Sequence, residues 1–128
     1  MNSETLLIVD DEQSIREYLH RVLSREGFKI LEASNGQEAL DVLRRQDGEI
    51  HLVLMDISMP QMDGQTCARL MIKEKPQIPI ICMSGNMDPA QMAKELNIPT
   101  ITFLQKPFTT EDILNQTRAM LMKARGRG

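Results

Sequence analysis

The chain has 128 residues, and its 15 Lys plus Arg against 18 Asp plus Glu leave a net charge of -3. That length suits one domain with a continuous core and is too short for a second of ordinary size. The mildly acidic balance excludes a field that gathers nucleic acid over the whole surface, so no direct nucleic-acid binding is expected. No apolar run reaches the ~18 residues of a membrane span. Met1 to Thr5 carry neither a basic nor an apolar leader pattern, so the expected location is the cytoplasm, away from the membrane. Cys67 and Cys82 match no CxxC or zinc spacing and read as reduced thiols.

Short apolar runs alternate with helical patterns from end to end. Leu6-Leu7-Ile8-Val9 reads as a first strand running into Asp10-Asp11-Glu12. Ile15, Leu19, Val22 and Leu23 recur at helical spacing and Gly27 supplies a stop, which predicts a helix from about Glu12 to Glu26. Phe28 to Ala33 is the second strand; Asn35 can cap a helix through Arg45 with Ala39, Leu40 and Leu43 inward, and Gly48 lies in the next turn. Ile50-His51-Leu52-Val53-Leu54-Met55 is a third strand, rich enough in Val, Ile and Leu to be buried on both faces, and it ends in Asp56. Asp63 is placed to cap a helix from about Gly64 to Lys75 that buries Cys67 or Ala68 and Leu70-Met71, with Pro76 after its end.

Ile78 to Met83 form a fourth strand leading into Ser84-Gly85. Asp88-Pro89 starts a short fourth helix that Asn97-Ile98-Pro99 stops after roughly two turns. Thr100 to Leu104 is the fifth strand, followed by Gln105-Lys106-Pro107-Phe108. Thr109-Thr110-Glu111-Asp112 opens the last helix like a capping box, with Ile113, Leu114, Thr117, Met120 and Leu121 inward. The domain is expected to span 1–122, and the basic run Lys123-Ala124-Arg125-Gly126-Arg127-Gly128 to be a frayed tail or the start of a linker. His20 and His51 read as structural or exposed.

Strict alternation implies a parallel sheet with right-handed crossovers and helices on both faces, for which 2-1-3-4-5 is one common strand order. Asp10, Asp11, Asp56, Ser84 and Lys106 then follow four strand ends on one edge of the sheet, where ligands of open α/β sheets bind. Carboxylates so close repel unless they share a cation, and Mg²⁺, with its preference for hard oxygen ligands, suits them; Mn²⁺ is the alternative. Lys106 and Ser84 offer a point charge and a hydroxyl to phosphoryl oxygens.

Val9-Asp10-Asp11-Glu12, Leu54-Met55-Asp56-Ile57-Ser58-Met59-Pro60-Gln61-Met62-Asp63-Gly64, Met83-Ser84-Gly85 and Phe103-Leu104-Gln105-Lys106-Pro107-Phe108 together resemble the receiver domain of a two-component response regulator. The resemblance covers Thr5 to Met122 and implies a flavodoxin-like (βα)5 three-layer sandwich of order 2-1-3-4-5. It implies that Asp56 is the phosphoacceptor, that Asp10, Asp11, Asp56 and the backbone carbonyl of Ser58 bind Mg²⁺, and that Ser84 and Lys106 contact the phosphoryl group. It also implies a cis Lys106-Pro107 bond, a switch through Ser84 and Phe103, and a histidine kinase or histidine phosphotransfer protein as donor. Output through the fourth helix, fifth strand and fifth helix follows from the same likeness, in a stand-alone protein or in part of a longer regulator or hybrid histidine kinase. Ser84 stands where Thr is frequent and Phe103 where Tyr is, so a switch here works by packing, and Phe103 is expected to turn inward appreciably before phosphorylation.

Other readings fit less well. No GxxxxGK[ST] loop exists for a nucleotide hydrolase. An aspartate-nucleophile phosphatase wants its nucleophile after strand one with a second Asp two residues on, which Asp11-Glu12-Gln13 breaks, and Asp10-Asp11 repel the phosphate of a flavodoxin's cofactor. An interaction module that keeps this fold without being phosphorylated is the remaining alternative, against which the intact Asp10, Asp11, Asp56, Ser84 and Lys106 argue. The expected role is a phosphorylation-controlled switch that assists its own modification and is not a metabolic enzyme.

Overall fold

The computed structural model describes residues 4–45, 50–57, 64–85 and 88–127. Strands and helices alternate as β1 (Thr5–Val9), α1 (Gln13–Ser24), β2 (Lys29–Ala33), α2 (Gly36–Arg45), β3 (Leu52–Asp56), α3 (Gly64–Glu74), β4 (Ile80–Ser84), α4 (Pro89–Leu96), β5 (Ile101–Gln105) and α5 (Thr110–Arg127). All neighbouring strands are parallel, in the order β2-β1-β3-β4-β5.

Every residue of β1, β3 and β4 is buried. That is the consequence of covering both faces of a parallel sheet with helices. Leu6, Ile8, Leu52, Leu54, Ile81 and Met83 pack with residues of α1 and α5 such as Leu19, Leu23, Ile113 and Leu121. Leu7, Val9, Val53, Met55, Ile80 and Cys82 alternate to the opposite layer, against α2, α3 and α4. Cys67 and Ala68 are both buried, where the helical spacing left either one inward.

Local chemistry sets the boundaries. Gly27, at φ 94°, takes the left-handed conformation after α1, and its N–H bonds Ser24 O at 3.0 Å. Asn35 Oδ1 accepts from the Glu38 N–H at 2.8 Å, and Asp88 Oδ1 from the Ala90 N–H at 3.1 Å ahead of Pro89. At the start of α5 the box is reciprocal: the Asp112 N–H bonds Thr109 Oγ1 at 3.0 Å and the Thr109 N–H bonds Asp112 Oδ2 at 2.9 Å. β3 begins at Leu52 rather than Ile50; just before it the His51 N–H donates to Thr5 O and its Nδ1 accepts from the Thr5 N–H. Gly48 and Asp63 lie outside the described residues.

The basic run at the end departs from expectation. α5 continues through Lys123 to Arg127, and Arg125 pairs with Glu4, just before β1. Cations at a helix C-terminus complement the macrodipole, and the ion pair ties this last stretch back to the sheet. Among the described residues no helix is long and apolar enough to cross a membrane.

Candidate functional site

The switch in winding direction falls between β1 and β3, whose residues Val9 and Met55 are register partners. Asp10 follows the last residue of β1 and Asp56 closes β3, so the two acids arrive side by side. One carboxylate oxygen from each of Asp10, Asp11 and Asp56 lies within 4.8 Å of the other two. Asp10 is fully buried, Asp56 nearly so, and Asp11 is exposed.

Lys106 crosses from just beyond β5 to meet them. Its Nζ lies 3.5 Å from Asp10 Oδ2 and 3.9 Å from Asp56 Oδ2. The Lys106 N–H donates to Ser84 O at 2.9 Å, which ties the lysine's backbone to the end of β4, and the Lys106-Pro107 peptide is cis. Ser84 itself is buried at that strand end, in register with Gln105. Phe103 sits in the middle of β5 beside its partner Cys82 and is buried in the α2/α3/α4 layer. The sequence-derived set therefore comes together at one edge, with two exceptions: Phe103 stands one layer behind it, and Ser58 lies outside the described residues.

Burial raises the Asp10 pKa above its ordinary value of 3.8, and the nearby Asp56 charge adds to the rise. The Glu12 N–H, 2.9 Å from Asp10 Oδ1, and the Lys106 ammonium act in the opposite sense. Three acids, two of them facing one lysine, form an under-compensated oxygen cluster, and such a donor set fits a hard divalent ion that keeps open positions. The two cysteines are buried thiols outside any disulfide, and burial pushes the Cys82 thiol up to about 12.

One participant was not singled out from the sequence. Arg16 Nη1 donates to the main-chain oxygen of Asp10 at 2.6 Å, and its Nε lies 3.4 Å from Glu32 Oε1 on β2. The second oxygen of Glu32 meets His20 Nδ1 at 2.7 Å. The available signal was the i, i+4 stripe Glu12, Arg16, His20 on a helix starting beside the acids, which by itself reads as a solvated face. Beside Lys106, Ile15, Tyr18, Pro107 and Phe108 line a largely apolar groove of about 470 Å³.

The chain is similar to known proteins over most of its length. Residues 6–118 match the family described as response regulator receiver domain. Sensor kinase CckA of Brucella abortus (strain 2308) is 36% identical over 124 residues, covering 94% of this chain and 13% of that protein. Sporulation initiation phosphotransferase F of Bacillus subtilis (strain 168) is 35% identical over 123 residues, covering 94% of this chain and 96% of that protein. Against transcriptional regulatory protein ResD of the same organism, at 33% identity, the chain spans 50% of the relative's length. Among solved structures, the receiver domain from the hybrid histidine kinase CckA superposes with a TM-score of 0.78 at 28% identity, covering 91% of this chain and 98% of that one. A CheY-like receiver domain protein from Methanospirillum hungatei JF-1 shares the fold at a TM-score of 0.89 and 24% identity, over 99% of this chain and 100% of that one.

Proposed function

The chain belongs to the response regulator receiver domain family, phosphoacceptors of two-component signalling, and on that footing we propose that Asp56 is the residue that takes the phosphoryl group. The observation that carries this is the meeting of Asp10, Asp11 and Asp56 within 4.8 Å, with Lys106 turned toward two of them. Asp56 ends β3 in the centre of the sheet, so its carboxylate is fixed by the strand while the neighbouring acids and the lysine surround it.

The donor is a phosphohistidine on a histidine kinase or histidine phosphotransfer protein, and the groove lined by Ile15, Tyr18, Pro107 and Phe108 gives such a partner an apolar footing beside Lys106. An Asp56 oxygen forms a bond to phosphorus as the P–N bond breaks, and the departing imidazole takes up a proton from solvent. Lys106 offsets charge on the phosphoryl oxygens, and the Ser84 hydroxyl donates to one of them. Asp10, Asp11, Asp56 and the Ser58 carbonyl would hold Mg²⁺ or Mn²⁺, which supplies charge compensation to the phosphoryl group when bound. Hydrolysis of the acyl phosphate resets the domain. It is a signalling module of the cytoplasm, and Ser84 with Phe103 carries the change of state to α4, β5 and α5, the face that meets the output partner.

The test is intact-mass measurement after incubation with a small phosphodonor, with and without Mg²⁺. One phosphoryl group per chain, labile to acid and base and absent without the cation, is expected. Asp56→Asn should abolish it, and the same modification persisting in that variant overturns the assignment.

A further inference from the structure

Every polar atom of Asp10 is engaged. Its N–H donates to Ala33 O at 3.2 Å, Oδ1 accepts from the Glu12 N–H at 2.9 Å, Oδ2 faces Lys106 Nζ at 3.5 Å, and the main-chain oxygen accepts from Arg16 Nη1 at 2.6 Å. The last contact differs from the others because its peptide unit is also the one that leads into Asp11. Asp11 is exposed, so packing does little to orient it; its position depends on how the Asp10-Asp11 peptide is held.

Arg16 is built for that task. A guanidinium is planar and presents its donors in a rigid fork, so holding one edge aims the other. Here Nε lies 3.4 Å from Glu32 Oε1, and Glu32 is held from the far side by His20 Nδ1 at 2.7 Å. The Arg16 side chain is 16% exposed, while Glu32 sits at 34% near the end of the edge strand β2. Two secondary-structure elements, α1 and β2, thus converge on the Asp10 carbonyl through one arginine, and Glu32 offsets the arginine's charge.

We infer that Arg16, aimed by Glu32, is a positioning residue for the cation site: it fixes the Asp10-Asp11 peptide and thereby the Asp11 carboxylate relative to Asp10 and Asp56. This rests on the cation reading given above. The sign of one measurement separates it from simple electrostatics. Arg16 is a cation close to the acids, so by charge alone Arg16→Met should tighten Mg²⁺ binding. As a positioning residue it should do the reverse, because hydrogen-bond partners standing behind metal ligands are worth roughly 10–100-fold in affinity.

The experiment is calorimetric titration of Mg²⁺ into wild type, Arg16→Met, Arg16→Lys and Glu32→Gln, with thermal unfolding of each in EDTA. A fall in affinity of about tenfold is expected for Arg16→Met, the lower end of that range. Arg16→Lys should fall in between, because an ammonium cannot hold both Asp10 O and Glu32 in a fork, and Glu32→Gln should fall less than Arg16→Met. Melting temperatures of the last two variants should stay close to wild type. Unchanged or tighter binding in Arg16→Met overturns the inference, as does an affinity loss in Arg16→Lys and Glu32→Gln that only follows a loss of folded protein. No Mg²⁺ binding by wild type overturns the cation reading, and this inference with it.

Discussion

Lys106 Nζ lies 3.5 Å from Oδ2 of Asp10, a carboxylate with no solvent exposure. The same ammonium stands 3.9 Å from Asp56, so two buried acids share it. It holds the electrostatic position that the proposed divalent ion would take over, so the two would compete. Lys106→Met should therefore destabilise the metal-free domain and tighten Mg²⁺ binding a few-fold, opposite in sign to Arg16→Met. Melting in EDTA and titration with Mg²⁺ check both halves, and weaker Mg²⁺ binding in Lys106→Met would remove the idea of competition.

Asp10 is expected to cost stability at neutral pH. Its folded-state pKa is raised by burial above the ordinary 3.8. Between that value and the folded pKa the native state binds more protons than the unfolded one, so stability falls as pH rises through this window. Above the folded pKa the full cost persists; below 3.8 it is absent. Asp10→Asn keeps an acceptor for the Glu12 N–H and removes the charge. In EDTA at pH 7 it should raise the melting temperature, by about 3–5 °C for each kcal/mol relieved. The gain should shrink toward pH 4 and vanish in saturating Mg²⁺, which stabilises wild type by mass action. A melting temperature that drops at pH 7 in EDTA contradicts the charge-strain account.

The switch has its own signature. Phe103 is buried beside Cys82, and Ser84 ends the same neighbouring strand. If phosphorylation draws the Ser84 hydroxyl toward Asp56, space opens at the end of β4 and the ring of Phe103 adjusts into it, carrying α4 with it. The size of such a shift is limited by the differential free energy of the two states, and moving from 1:99 to 99:1 takes about 5.5 kcal/mol. NMR spectra of the free, Mg²⁺-bound and phosphorylated domain should change from Gly85 to Leu96 and at Phe103. Changes confined to the surroundings of Asp56 rule the mechanism out. Ser84→Ala should still accept phosphate while losing most of the distant response.

Two substitutions scale the contributions to folding. Leu54 is fully buried in the central strand, and Leu54→Ala should cost about 2–5 kcal/mol, a large share of the roughly 5–15 kcal/mol that holds an ordinary domain together. Thr109→Ala removes one side of the reciprocal box at the start of α5 and should cost about 1 kcal/mol. Denaturant titration resolves the difference, and equal losses at the two positions would contradict the packing described here.

The order of elements, their faces and the caps at Asn35, Asp88 and Thr109 were legible in the sequence, because each depends on local spacing and on side chains bonding backbone a few residues away. So was the membership of Asp10, Asp11, Asp56, Ser84 and Lys106 in one edge, since a strand's end is marked by where its apolar run stops. Arg16, Glu32 and His20 were not legible. Their pairing crosses from α1 to the edge strand β2, and a polar stripe at helical spacing looks the same whether it faces water or a carboxylate. The same holds for the last turns of α5: Lys123 to Arg127 look like a loose basic tail, until the fold brings Glu4 to Arg125. Local propensity determines which residues form each element, whereas contacts between residues far apart in the chain exist only once the sheet has set the distances between them.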